Sequence, residues 1–229
     1  MSEVGFIEKS TLEAIGSALR NKEGTTDLIP VNTLADRIAA LPSGVSKLPQ
    51  VIDKTITEIT AEDLAGATSI DNYAFAYCSS LTSITIPDSV TSIKMHSFKE
   101  CKKLTSVTIP NSVTSIGYGA FDQCTSLTSV IIPNSVTSIE NYAFSGCTSL
   151  TSVMIGSGIK SIKSYSLRIG SSTNKATITF LGITPPSLES YSLNANSLNK
   201  IIVPAGCGEA YKTATNWANL ADYIEEATE

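Results

Sequence analysis

The chain has 229 residues, 42% of them apolar and only 16% charged, with a formal net charge of −5. That length suits one elongated domain with an appendage, or two small domains, and the apolar share is ample for a core. The acidic balance argues against a general nucleic-acid or acidic-membrane binder, and no stretch approaches the ~20 apolar residues of a spanning helix.

The N-terminus, MSEVGFIEKSTLEAIGSALR, has no basic start followed by an apolar core and a small-residue cleavage site. It does not read as a signal peptide, and the expectation is a soluble protein made in the cytoplasm. Residues 6–41 read as a helical hairpin. Ser10 and Glu13 form a capping box, after which Leu12, Ile15 and Leu19 share one face. Gly24 breaks this helix, and Leu34, Ile38 and Leu41 mark a second one that Pro42 stops. Helices this short cannot hold a core alone. The segment 1–41 is therefore expected to attach or oligomerise, with 42–50 as a linker.

Residues 51–60 alternate apolar and polar side chains, as a half-buried edge would. The segment 51–74 is a degenerate first coil, because residues 67–75 match the third coil of the array that comes after it. From residue 75 to 166 the chain repeats every 23 residues, anchored at Phe75, Phe98, Phe121 and Phe144 and at Cys78, Cys101, Cys124 and Cys147. Within each coil the pattern LxxIxI recurs, beginning with Leu81, Ile84 and Ile86, and this is a leucine-rich-repeat strand signature. Proline usually ends the strand (Pro87, Pro110, Pro133), and Val90, Ile93 and their counterparts supply the opposite wall. The phenylalanine then enters the core from a turn or short helical piece. The expected fold is an α+β solenoid over 51–204, a right-handed stack of coils with parallel strands.

After Leu167 the register slips: the SYSL at 164–167 returns at 190–193, now 26 residues on. Ile178 and Phe180, then Leu198, Ile201 and Val203, take the strand positions. The tail, 205–229, reads as one amphipathic helix whose Tyr211, Trp217 and Tyr223 cap the stack. Four of the five cysteines obey the repeat and should form a column. Neighbours in it could approach disulfide distance, but reduced packing cysteines are the expectation. A linear stack cannot offer a metal tetrahedral ligands. Cys207 lies outside the column as an ordinary thiol. Lys94, Lys99, Lys102 and Lys103 cluster in one repeat, as a solvated patch or an anion contact.

The motif FxxCxSLTSVTIPxSVTSIGxxAF, matched over about 51–204, resembles the BspA-type (treponemal) leucine-rich repeats. Proteins of that type are mostly bacterial surface or secreted adhesion proteins, which implies binding to a protein or glycan. The missing export signal and anchor depart from that pattern. Residues 10–41 are similar to a segment of phage and prophage minor structural (tail) proteins, matching at Leu12, Ile15, Ala18, Leu19, Arg20, Lys22, Gly24, Thr25, Thr26, Asp27, Pro30 and Ile38. This second resemblance implies a virion-associated protein, mounted or self-associated through 10–41, whose repeats contact a host-surface protein or glycan. The alternative is a cell-surface or secreted adhesin.

No catalytic constellation stands out. The single histidine, His96, occupies the column held elsewhere by Tyr73, Gly119, Tyr142 and Tyr165, and reads as a surface substitute for tyrosine. GSGIKS at 156–161 is a degenerate strand exit and no phosphate loop. A non-enzyme is expected, with no cofactor, metal, nucleic acid or membrane involved. Binding would fall on outward positions. One candidate is the hydroxyl-rich strand face, Thr82, Ser83 and Thr85 then Thr105, Ser106 and Thr108, whose last member becomes Ile131 and Met154. It is equally readable as a solvated, strand-favouring surface. The other is the tyrosine column, Tyr73, His96, Tyr142 and Tyr165, with Tyr77, Met95 and Tyr118 beside it. Tyrosine is a good recognition residue, and edge packing is the competing reading.

Overall fold

The computed structural model describes residues 55–228. The helical hairpin and the linker, at 1–50, lie outside the described residues.

Each coil gives one short strand to each of two walls, until the last two strands of the chain, which join the first wall alone. The first wall holds β1 (Glu58–Ile59), β3 (Ser83–Thr85), β5 (Ser106–Thr108), β7 (Ser129–Ile132), β9 (Ser152–Ile155), β11 (Ala176–Phe180), β13 (Leu198–Val203) and β14 (Ile224–Glu226). The second holds β2 (Ser69–Ile70), β4 (Ser92–Ile93), β6 (Ser115–Ile116), β8 (Ser138–Ile139), β10 (Ser161–Ile162) and β12 (Ser187–Leu188). Every pairing is parallel, and the register is the sequence repeat itself: Ser83 lies beside Ser106 and Ile84 beside Val107. The result is a parallel β-solenoid of about seven coils.

The α component expected of an α+β fold shrinks, among the described residues, to the single helix α1 (Gly208–Thr213) and short 3-10 turns. The reason is local. After each second-wall strand the chain reverses within a few residues, through left-handed positions at Tyr73, His96, Gly119, Tyr142, Tyr165 and Tyr191. A left-handed residue stops a right-handed helix from propagating. The buried hydroxyls of Ser97, Ser166 and Ser192 tighten the same turns by donating to the carbonyls of Lys94, Lys163 and Glu189.

Between the walls the core runs as ladders. Phe75, Phe98, Phe121 and Phe144 are fully buried. Their rings stack nearly parallel at centroid distances of 5.5, 5.1 and 5.1 Å. These spacings are slightly above the ~4.8 Å between neighbouring strands, so stacked coils bring identical side chains into contact. The cysteines form the expected column without disulfides. The thiols of Cys101, Cys124 and Cys147 instead donate to the carbonyls of Phe75, Phe98 and Phe121 at 3.1–3.2 Å. Burial pushes the Cys124 and Cys147 thiols far above the usual range, so neither is a reactive thiolate.

The tail is not one amphipathic helix. α1 ends at Thr213, Asn216 turns left-handed with φ +68°, and a 3-10 turn at Ala218–Tyr223 leads into β14. Two forces override the helical pattern. β13 would otherwise present an unpaired edge, and Ile224, Glu225 and Glu226 fill it by pairing with Ile201, Ile202 and Val203. Trp217 and Tyr211, meanwhile, are drawn onto Phe180 at 5.3 and 5.7 Å. The capping expectation thus fits Tyr211 and Trp217, which are fully buried, whereas Leu220 and Ile224 are buried and Tyr223 stays half-exposed.

Candidate functional site

On the first wall, alternation along each strand turns one side chain outward per coil. In register these are Thr85, Thr108, Ile131, Met154, Thr179 and Ile202. The column therefore runs from hydroxyls to a stretch of apolar groups. Ile131, on β7, is 62% exposed, and Met154 and Leu181 are exposed beside it. The threonines just before the strands, three residues earlier, serve the fold instead. The hydroxyls of Thr82, Thr105 and Thr128 donate to the carbonyls of Thr57, Thr82 and Thr105, each one coil back.

The first wall is also interrupted. Its strands form two sheets, β1-β3-β5 and β7-β9-β11-β13-β14, whereas the second wall is one continuous sheet of six strands. Near the seam the main-chain link from Thr128 N–H to Thr105 C=O persists at 3.2 Å, but the ladder does not continue from β5 into β7. A groove of about 480 Å³ lies there, lined by both strands and by Asn111, Asn134 and Leu181. Ile131 and Thr108 flank it. The backbone ladder is thus continuous on the second wall and interrupted between β5 and β7 on the first, beside the exposed side chain of Ile131.

The second candidate, the tyrosine column, is a continuous ladder of rings. Tyr73, His96, Tyr118, Tyr142, Tyr165 and Tyr191 succeed one another at 4.9–5.5 Å, and the Arg168 guanidinium stands over Tyr165. Gly119 keeps the left-handed slot, while Tyr118 supplies the ring from one residue earlier. A Cβ at Gly119 would lie 2.4 Å from His96 Nδ1, so any side chain there would have to displace the His96 ring, although the left-handed φ itself is met by tyrosine or histidine in the other coils. The rings from Tyr142 to Tyr191 stack face to face, whereas those from Tyr73 to Tyr142 meet tilted or edge-on. Tyr77 stands outside the ladder in a second left-handed series with Glu100, Gln123 and Gly146. Tyr191 is hidden from a 23-residue count by its 26-residue offset; the SYSL recurrence is the signal that points to it.

His96 takes the place that tyrosines hold in other coils, as a half-buried rung of the ladder. Desolvation, reinforced by the Lys99 ammonium, holds its pKa below 6.5 against the pull of Asp122. The unfolded chain therefore takes up this proton first, and stability falls as pH drops below 6.5; above that, histidine is neutral in both states and contributes nothing. Urea titrations between pH 7.5 and 5.5 should show a slope that His96→Tyr lacks. Identical slopes would contradict this placement of His96.

The basic cluster is neutralised largely from within. Lys94 pairs with Asp71, Lys99 with Asp122 at 3.2 Å and Lys102 with Glu100 at 3.4 Å. Among the described residues no group of three potential metal ligands occurs, and no helix is long and apolar enough to cross a membrane.

A family model described as "BspA type Leucine rich repeat region" matches residues 68–184 in six copies. No curated protein sequence matches the chain. Among solved structures, the pneumococcal vaccine antigen PcpA shares the fold, with a TM-score of 0.54 and 18% identity over 77% of this chain. The match covers 41% of PcpA, so this chain spans less than half of that protein's length. A leucine-rich repeat protein from T. pallidum matches at 23% identity and TM-score 0.38, over 61% of this chain and 72% of its own. A leucine rich cell surface protein from Faecalibacterium prausnitzii matches at 22% identity and TM-score 0.35, over 79% and 62%.

Proposed function

Because the chain belongs to the BspA-type leucine-rich-repeat family, we propose that it is a non-enzymatic protein-interaction module whose contact surface is the first wall. One observation carries this reading: Ile131 stands 62% exposed on the outer face of β7, at the groove beside β5, with Met154 exposed next to it. A hydroxyl-rich face needs no partner to be stable in water, but contiguous exposed apolar side chains mark sites that a partner covers. Thr108 and Asn134 around the groove offer hydrogen bonds to a peptide backbone, and Ile131, Met154 and Leu181 offer apolar contact.

Residues 10–41 suggest where such a module is mounted. Their resemblance to tail-protein segments favours a phage or prophage tail facing a host-surface protein, and a bacterial surface is the alternative mounting. Neighbouring tail and portal genes would favour the first, and cell-wall or sortase genes the second. The contact itself is testable directly. A photocrosslinking residue at position 131 should trap a cell-surface protein that the same residue at position 114, on the second wall, does not. Equal trapping at both positions would overturn the assignment of the face.

A further inference from the structure

The tyrosine ladder ends at Tyr191, and a pocket opens beyond this last ring. One face of the Tyr191 ring stacks on Tyr165 at 5.5 Å and 16°, yet the residue remains 71% exposed. The chain comes back past this ring at Asn216, another left-handed residue. Its side-chain Nδ2 donates to the carbonyl of Leu188 at 2.6 Å. The pocket measures about 340 Å³ and is lined by Tyr191 with Glu189, Ser190, Ser192, Asn216, Asn219 and three leucines. That volume sits at the lower end of the ~300–1,000 Å³ of small-molecule sites.

We propose that this pocket binds one neutral pyranose unit of a glycan, its C–H face stacked on Tyr191 and its hydroxyls held by Ser190, Asn216 and Asn219. The lining chooses the ligand class. An aromatic ring stacked on one side only offers a flat, electron-rich surface to the polarised C–H bonds of a sugar. Hydroxyl and carboxamide groups both donate and accept, as sugar hydroxyls do, and Asn216 keeps its Oδ1 as an acceptor. Glu189 offers no spare charge. Its carboxylate receives Lys163 Nζ at 2.9 Å and the N–H and hydroxyl of Ser164 at 3.1 Å, and these bonds hold it below the usual carboxylate range. The site is thus locally neutral and polar, a poor match for a cation or for an apolar side chain. It is separate from the first-wall face and stands or falls independently of it.

The test is saturation-transfer NMR on the full chain with glucose, galactose, mannose and N-acetylglucosamine, each at millimolar concentration. At least one should receive saturation at its ring C–H protons. Tyr191→Ala should weaken that binding about threefold to tenfold, the scale of one lost aromatic contact, while Tyr191→Phe retains it. Position 191 is exposed, so the melting temperature of both variants should stay near wild type, and Ile131→Lys should leave the sugar signal unchanged. No transfer to any of the four sugars would overturn the proposal. So would binding that survives Tyr191→Ala, or phenol binding where the sugars do not.

Discussion

Phe121→Ala is expected to destabilise the solenoid by about 3–5 kcal/mol, the range for truncating a fully buried phenylalanine. Phe121 stacks on Phe98 and Phe144 at 5.1 Å on both sides, and its carbonyl accepts the Cys147 thiol. Walls hydrogen-bonded from coil to coil cannot close onto the space one ring vacates, so relaxation is limited and the upper half of the range applies. Because each coil touches only its neighbours, the loss should first appear as local opening of the coils carrying Phe98, Phe121 and Phe144. Denaturant titration measures the total, and amide exchange locates it. A cost below about 1 kcal/mol, or exchange raised evenly from β1 to β14, would show that the ladder is not the spine of the fold.

Trp217→Ala should have a comparable effect, about 3–5 kcal/mol, but at the C-terminal end of the stack. The indole packs edge-on against Phe180 and Tyr211 at 5.3 and 5.0 Å, and its Nε1 donates to the carbonyl of Pro186 at 2.9 Å. Tyr211 in turn donates to the carbonyl of Gly182 at 2.7 Å. Removing Trp217 opens an apolar space and leaves a buried carbonyl unpaired, which adds to the cavity cost. The exchange pattern discriminates this variant from Phe121→Ala: protection should be lost from β11, β13 and β14 and kept around Phe98. A variant that unfolds from the first coils instead would contradict the capping role of this cluster.

What is legible in the sequence is what has to repeat. Inward positions face the same neighbours in every coil, so Phe75 to Phe144, Cys78 to Cys147 and the LxxIxI strands announce the stack by their spacing alone. The outward column Thr85, Thr108, Ile131, Met154 is equally readable, since alternation along a strand is fixed. The tail misleads because its apolar spacing is compatible with a helix, and the forces that break it are tertiary: the open edge of β13 and the pull of Phe180 on Trp217. The break in the ladder between β5 and β7 leaves no trace in residues 104–133, where the two coils read almost alike. His96 looks exposed in the sequence because Tyr118, one residue ahead of its column, gives no sign there of folding into the ladder. Tyr191 is obscured because the inserted residues after Leu167 shift the period.

The central claim is that the ladders hold the solenoid together while the first-wall face is held available for a partner. It is tested most directly by measuring binding and stability together on the double variant Ile131→Lys, Met154→Lys. With the surface protein trapped through position 131 as ligand, affinity should fall at least about tenfold, since two charges would enter an apolar contact. The melting temperature should stay near wild type, because both side chains point away from the core. Unchanged affinity with an unchanged melt would contradict the assignment of the face, and a collapsed melt would contradict the separation of surface from spine.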